Sequence, residues 1–204
     1  MLTESNILTN LLDIYAYFPL TVEDNILIVR PLNHASAFTG EFLLGLFSGA
    51  QITFLDDAIS PYSIMKSIEQ NRCTVVCTTP TLLYQISLMH KGPVPHSLKT
   101  VAISGECLHP TVAEKIRSRF PSVQFYNVYG LTEASPRVSY LSPQYFDTNK
   151  GFVGQPLKSV KVRIVHPEKG TEMPAGQVGE LLMSGPNVMK GYWNDPEATG
   201  KHLQ

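Results

Sequence analysis

The chain has 204 residues, a formal net charge of −1 and 43% hydrophobic residues, enough for one good core or for one domain with a small second unit. That charge, with no block of Lys or Arg, argues against a nucleic-acid surface, whose affinity would rest on neutralising phosphates. No apolar run approaches a bilayer span and no charged-then-apolar signal opens the chain, so no membrane partner is expected and the compartment reads as cytoplasmic.

In chain order, residues 3–18 place Ile7, Leu8, Leu11, Leu12, Tyr15 and Phe18 at helical spacing. Asn25 to Arg30 follows as a strand, Pro31 to His34 as a loop, and Ala37 to Phe47 as a helix that Ser48-Gly49 closes. Gln51 to Leu55 is the next strand. Ser60-Pro61 and Thr79-Pro80 each pair a capping hydroxyl with a proline at the first helical position, and so start helices that run to about Gln70 and His90. Between those helices lies the strand Thr74 to Thr78, where Cys73 and Cys77 read as buried thiols rather than zinc ligands. The chain has three cysteines, an odd number that suits reduced thiols better than a disulfide framework. After the strand Thr100 to Ser104 comes a helix from Pro110 to Phe120, whose Lys115, Arg117 and Arg119 read as a solvated face. This alternation of strand and helix predicts parallel βαβ units with right-handed crossovers.

The texture changes after Glu133. Arg137 to Leu141, Lys161 to Val165 and Val178 to Ser184 read as strands with no helix between them, and eight of the 14 glycines lie from Gly151 onward. The expectation is an α/β unit over residues 1–147, built on a mostly parallel sheet with flanking helices, and a partial antiparallel β subdomain over 148–204.

Chemistry concentrates in Phe125-Tyr126-Asn127-Val128-Tyr129-Gly130-Leu131-Thr132-Glu133, where a β-prone run feeds into a glycine turn. In an open α/β sheet, ligands bind past the carboxyl ends of the strands. Tyr129 offers a flat face for a purine and Thr132 a donor for a phosphate oxygen. Glu133 would be repelled by phosphates unless a divalent cation sat between them. A plain strand-to-loop corner with a buried Tyr129 and a solvated Glu133 is the alternative.

Upstream stands Val101-Ala102-Ile103-Ser104-Gly105-Glu106, and downstream Gly179-Glu180-Leu181-Leu182-Met183-Ser184-Gly185 followed by Gly191-Tyr192. In this order the three stretches resemble the core of the adenylate-forming enzymes, the superfamily of acyl-CoA synthetases, aryl-acid ligases, luciferases and nonribosomal adenylation domains. The resemblance implies ATP-dependent formation of an acyl-adenylate and then transfer to a thiol, of CoA or of carrier-protein phosphopantetheine. It assigns His34, Thr132 and Glu133 to catalysis, with Glu133 also holding Mg²⁺. It places Gly105, Glu106, Asn127, Tyr129, Gly130 and Thr132 on the nucleotide; for Glu106 a solvated loop acid is the alternative. His34, closing Pro31-Leu32-Asn33-His34, matches a histidine that lies near the carboxylate being activated; a loop histidine bonded to backbone is the alternative.

Relatives that activate α-amino acids carry an aspartate shortly before the following helix, because an unpaired buried ammonium is costly. Ser36 stands about there, so an acid with an uncharged tail is expected, though Ala102, Tyr126 and Ser135 are too generic to name it. A nonribosomal-type adenylation domain and a non-catalytic nucleotide- or partner-binding module are the rivals. The resemblance also predicts parts not found here: a phosphate loop ending in Pro-Lys-Gly, a ribose-binding aspartate, and a C-terminal domain with a catalytic lysine. Leu2-Thr3-Glu4-Ser5-Asn6 matches the stretch that follows that phosphate loop, except at Glu4. The expectation is therefore the middle of a larger enzyme, inactive alone and self-associating through a bared Ile7, Leu11 and Phe18 face.

Overall fold

A computed structural model describes residues 1–203. Among the described residues are nine strands, β1 (Asn25–Ile28), β2 (Gln51–Phe54), β3 (Val75–Thr78), β4 (Thr100–Ser104), β5 (Gln124–Gly130), β6 (Arg137–Leu141), β7 (Gln155–Pro156), β8 (Lys161–Val165) and β9 (Glu180–Ser184). The first seven make one sheet in the order β2-β1-β3-β4-β5-β6-β7, while β8 and β9 pair apart as a two-stranded antiparallel ribbon. Strands β2 through β5 in that order are parallel, and β6 and β7 add antiparallel to the far edge. The α/β class and the mostly parallel sheet are thus as the alternation predicts. Beyond residue 147, β7 still belongs to the large sheet.

Helices cover both faces. Leu27, Val76, Val101, Ile103 and Phe125 point to one core, shared with α4 (Pro61–Asn71), α5 (Pro80–Met89) and α6 (Pro110–Arg119). Their strand neighbours Ile26, Val75, Cys77, Ala102 and Val128 point to the other, under α1 (Glu4–Tyr17) and the run α2 (Ala35–Ala37), a π-helical turn (Phe38–Leu43) and α3 (Leu44–Ser48). Because successive side chains leave a strand on opposite sides, a sheet covered twice needs unbroken apolar runs, and β1 and β3 are buried at every residue. Two short helices, α7 (Pro143–Phe146) and α8 (Pro196–His202), were not visible in the periodicity.

The caps act as their residue types dictate. The Ser60 and Thr79 hydroxyls accept from the Ser63 and Leu82 amides, and Thr3 with Asn6 forms a reciprocal box at the start of α1.

Two expectations need correction. The face of α1 that carries Leu11 and Phe18 is buried, at 7% and 2% exposure, and the apolar residues left outside are Leu8, Leu12 and Tyr15, the last edge-on to Phe47. The helical stripe was right but its burial was inverted: the stripe that includes Ile14 seals the second core. Arg117 and Arg119 are not a solvated face either. Arg117 donates to Asp147 and to the Val123 carbonyl and lies over the Phe125 ring, and Arg119 donates to the His90 and Gly92 carbonyls.

Candidate active site

Past the carboxyl ends of β1, β4 and β5 the structure opens a cleft of about 530 Å³, within the range of small-molecule sites. Four of the eight residues assigned to the acid, nucleotide and metal meet on its wall: His34, Gly105, Gly130 and Thr132. His34 is exposed at the residue preceding α2, and its carbonyl accepts the Phe38 amide at 2.9 Å. Gly105 has φ +97°, a conformation that glycine adopts without strain, in the turn after β4.

Gly130 is required for a different reason. The chain turns through Thr132–Ala134 and comes back as β6, so that a Cβ on Gly130 would stand 1.9 Å from the Pro136 carbonyl oxygen. Only the bare backbone lets β6 return over the end of β5. Thr132 is thereby left exposed on the cleft wall while Ala134 and Ser135 are buried beneath it.

The other four lie off this wall. Glu106 is exposed and accepts from the Thr81 hydroxyl. Asn127 is buried and donates to the Phe152 carbonyl at 2.8 Å. Tyr129 is half-buried against the small core of Ala134, Val138, Leu157 and Val160. Glu133, next to Thr132, receives the Tyr192 hydroxyl on Oε1 at 2.7 Å, and this bond pushes the Tyr192 pKa up.

The floor is ionic, which the sequence did not announce. Arg30 closes β1 onto the cleft and its Nη2 meets Glu41 Oε1 at 2.6 Å; Glu41 is fully buried in the π-helical turn. Arg137 is 4% exposed at the start of β6. It donates to the Tyr17 hydroxyl at 2.8 Å and the Gly40 carbonyl at 2.9 Å, and Asn10 bonds its backbone on both sides. Gly40 makes the room: a Cβ there would lie 2.8 Å from Arg137 Nε. Burial raises Tyr17 and lifts Cys77 to about 12, so both stay neutral beside these charges. An arginine opening β6, and a glutamate that is the one charged residue between Ala35 and Ser48, were the available signals.

A second overlooked residue is Asn187, fully buried, whose side-chain amide donates to the Ala134 carbonyl at 2.8 Å while its backbone carbonyl accepts the Ser135 hydroxyl at 2.7 Å. Together with the bond from the Met189 amide to the Glu133 carbonyl at 2.8 Å, it fastens the segment after β9 to the turn that carries Thr132 and Glu133.

Comparison with known proteins agrees with this architecture. Feruloyl-CoA synthase of Amycolatopsis sp. is 33% identical over 207 residues, covering 100% of this chain and 41% of that protein. 4-Coumarate–CoA ligase 2 of Nicotiana tabacum is 29% identical over 189 residues, covering 89% and 34%. The solved structure of O-succinylbenzoate coenzyme A synthetase from Bacillus subtilis, in complex with ATP and magnesium ion, superposes with a TM-score of 0.86 at 24% identity, over 100% of this chain and 41% of that one. The chain thus spans about two-fifths of the length of the first of these relatives. The AMP-binding enzyme family matches residues 1–193, and the chain belongs to it.

Proposed function

We propose that this chain forms the acid- and adenine-facing part of an AMP-forming acid–thiol ligase. A carboxylate oxygen attacks the α-phosphorus of ATP, pyrophosphate leaves, and the acyl group then passes to a thiol of CoA or of carrier-protein phosphopantetheine with release of AMP. The carrying observation is the cleft at the strand ends, where His34, Gly105, Gly130 and Thr132 converge in a chain of this family. Two of the relatives named above are a feruloyl-CoA synthase and a 4-coumarate–CoA ligase, which supports the thiol step.

The residues act by positioning and by charge. His34, as a neutral imidazole, donates to the acid's carboxylate. Thr132 donates to a phosphate oxygen, with the backbone at Gly105, Glu106 and Gly130 beside the base, and Tyr129 and Asn127 shape that edge from behind. Glu133 suits Mg²⁺, which is commonly held by one or two carboxylates together with substrate phosphates, and its Oε2 has no protein hydrogen bond among the described residues. Such an ion would neutralise the phosphates and leave Glu133 unrepelled. An amino-acid substrate is disfavoured by the cleft wall, which carries no carboxylate among the described residues: Ser36 lines it, and Glu41 is buried against Arg30.

The reading includes a cytoplasmic setting, two units divided near residue 147 except that β7 stays with the large sheet, and no nucleic-acid or membrane partner; no helix among the described residues is long and apolar enough to cross a membrane. It also assigns catalysis to the protein at the full length of its relatives, with these 204 residues alone inactive. Alone, they self-associate through the exposed Leu8, Leu12, Tyr15 and Phe47 surface. The test is acid-dependent exchange of labelled pyrophosphate into ATP by the full-length protein. Exchange with carboxylic acids, and none with the matching α-amino acids, supports the reading; exchange confined to an amino acid contradicts it.

A further inference from the structure

The cleft floor holds more positive charge than the protein neutralises. Arg30 and Arg137 both line it, no Asp or Glu does among the described residues, and one carboxylate, Glu41, stands behind the two guanidiniums. Tyr17 and Cys77 are neutral, so the cluster carries a net charge of at least one proton whichever form Glu41 takes. The pairing is also incomplete. Arg30 and Glu41 share a single bond, and Arg30 Nε and Glu41 Oε2 are buried with no partner among the described residues. Arg30 Nη1 has only the Ser104 hydroxyl, at a long 3.5 Å. Buried charges are ordinarily paired and their polar atoms bonded, because an uncompensated charge in a poorly solvated place is costly. A guanidinium fork left half-used beside a cleft suits a planar anion, above all a carboxylate.

We propose that Arg30, supported by Arg137, receives a second carboxylate on the acid being activated, so that the substrate is a dicarboxylic acid. This inference rests on the ligase reading and narrows it. It also reverses the sequence-level expectation of an uncharged tail, which saw the missing acid at Ser36 but not the two arginines. One carboxylate goes to the rim, where His34 and Thr132 stand, and reacts; the other goes to the floor and sets specificity. The nucleotide phosphates are the competing claim on this charge. Thr132 at the rim is exposed, whereas Arg137 is 4% exposed and tied to α1 and to the π-helical turn, where it faces a group that enters the cleft rather than one that lies across its mouth.

The experiment uses the full-length protein and two readouts: pyrophosphate exchange and calorimetric binding without ATP. The probes are adipate against hexanoate and terephthalate against benzoate. The variant is Arg30→Met combined with Glu41→Leu, since Arg30→Met alone would strand a buried carboxylate. In the native protein one diacid should exceed its monoacid partner by at least about tenfold in kcat/KM and in affinity. The double variant should abolish that preference through KM while its KM for ATP moves less than about twofold. Two results overturn the proposal: monoacids bound and exchanged as well as diacids, or a variant whose loss is in ATP and equal for both acids. Absence of exchange with every acid, with diacid binding still lost in the variant, would leave the carboxylate site standing and remove the ligase reading.

Discussion

Two ion pairs of similar geometry lie in opposite settings. Arg30 and Glu41 meet at 2.6 Å on the cleft floor with their side chains 16% and 0% exposed, and Arg163 and Glu172 meet at 2.9 Å beside the β8–β9 ribbon at 58% and 69%. The difference follows from the sheets. The parallel strands are covered on both faces and exclude water, so a charge set there is held by few groups and felt strongly. The ribbon is covered on one side, all its residues but Val165 are exposed or half-exposed, and Val178 just before it is 95% exposed. A charge there is screened and free to move. Chemistry is therefore expected at the first place and not at the second, although the sequence shows an arginine and a glutamate at both.

The largest effect should come where the backbone itself closes the site. Gly130→Ala forces a methyl into the Pro136 carbonyl, and we expect a loss of about 4 kcal/mol or more, measured by denaturant titration; an alanine variant of native stability would mean that β6 does not return over β5. Next, Arg30→Met should cost about 3–5 kcal/mol by stranding Glu41, and adding Glu41→Leu should recover most of it. Equal losses in the single and double variants would show the pair to be solvated and erase the contrast with the ribbon.

Glu41 also makes the contrast visible in pH. Burial pushes its carboxyl above the ordinary glutamate range, with Arg30 and then Arg137 pulling it back. A raised acid pKa means the folded state holds the proton more tightly than the unfolded chain does. The stability so gained is complete below the ordinary glutamate pKa and is lost as pH rises through the folded one. Across that window the native protein should lose stability relative to Glu41→Gln, and a pH-independent difference would contradict the burial. The smallest effect belongs to the ribbon: Arg163→Ala should change stability by about 0.2–1 kcal/mol, less at high salt.

Much of the scaffold was legible because its physics is local. The short apolar stretches Ile26–Val29 and Val75–Cys77 marked β1 and β3, and Ser60-Pro61 and Thr79-Pro80 announced helix starts within a residue. The cleft was legible in part. His34, Gly105, Gly130 and Thr132 could be placed on one edge because strand ends in a parallel sheet share an edge. The rest depends on contacts between residues far apart in sequence. Arg137 reads as one polar residue in a strand until Tyr17, Asn10 and Gly40 are seen around it, and nothing near Asn187 says that it grips Ala134 and Ser135. Tyr129 was placed by its ring alone, and the β5–β6 register, which shifts between Tyr129 and Gly130, decides where that ring goes.

The central claim is that the turn carrying Thr132 and Glu133 works on the phosphates at the mouth of this cleft. It is tested most directly by acid-dependent pyrophosphate exchange in the full-length protein, native against Glu133→Gln. The half-buried loop carboxylate is not part of the core, so the fold should survive, as the thermal transition would report. The account predicts that exchange falls by about a hundredfold or more with the transition nearly unmoved. Exchange at the native rate in that variant would contradict it.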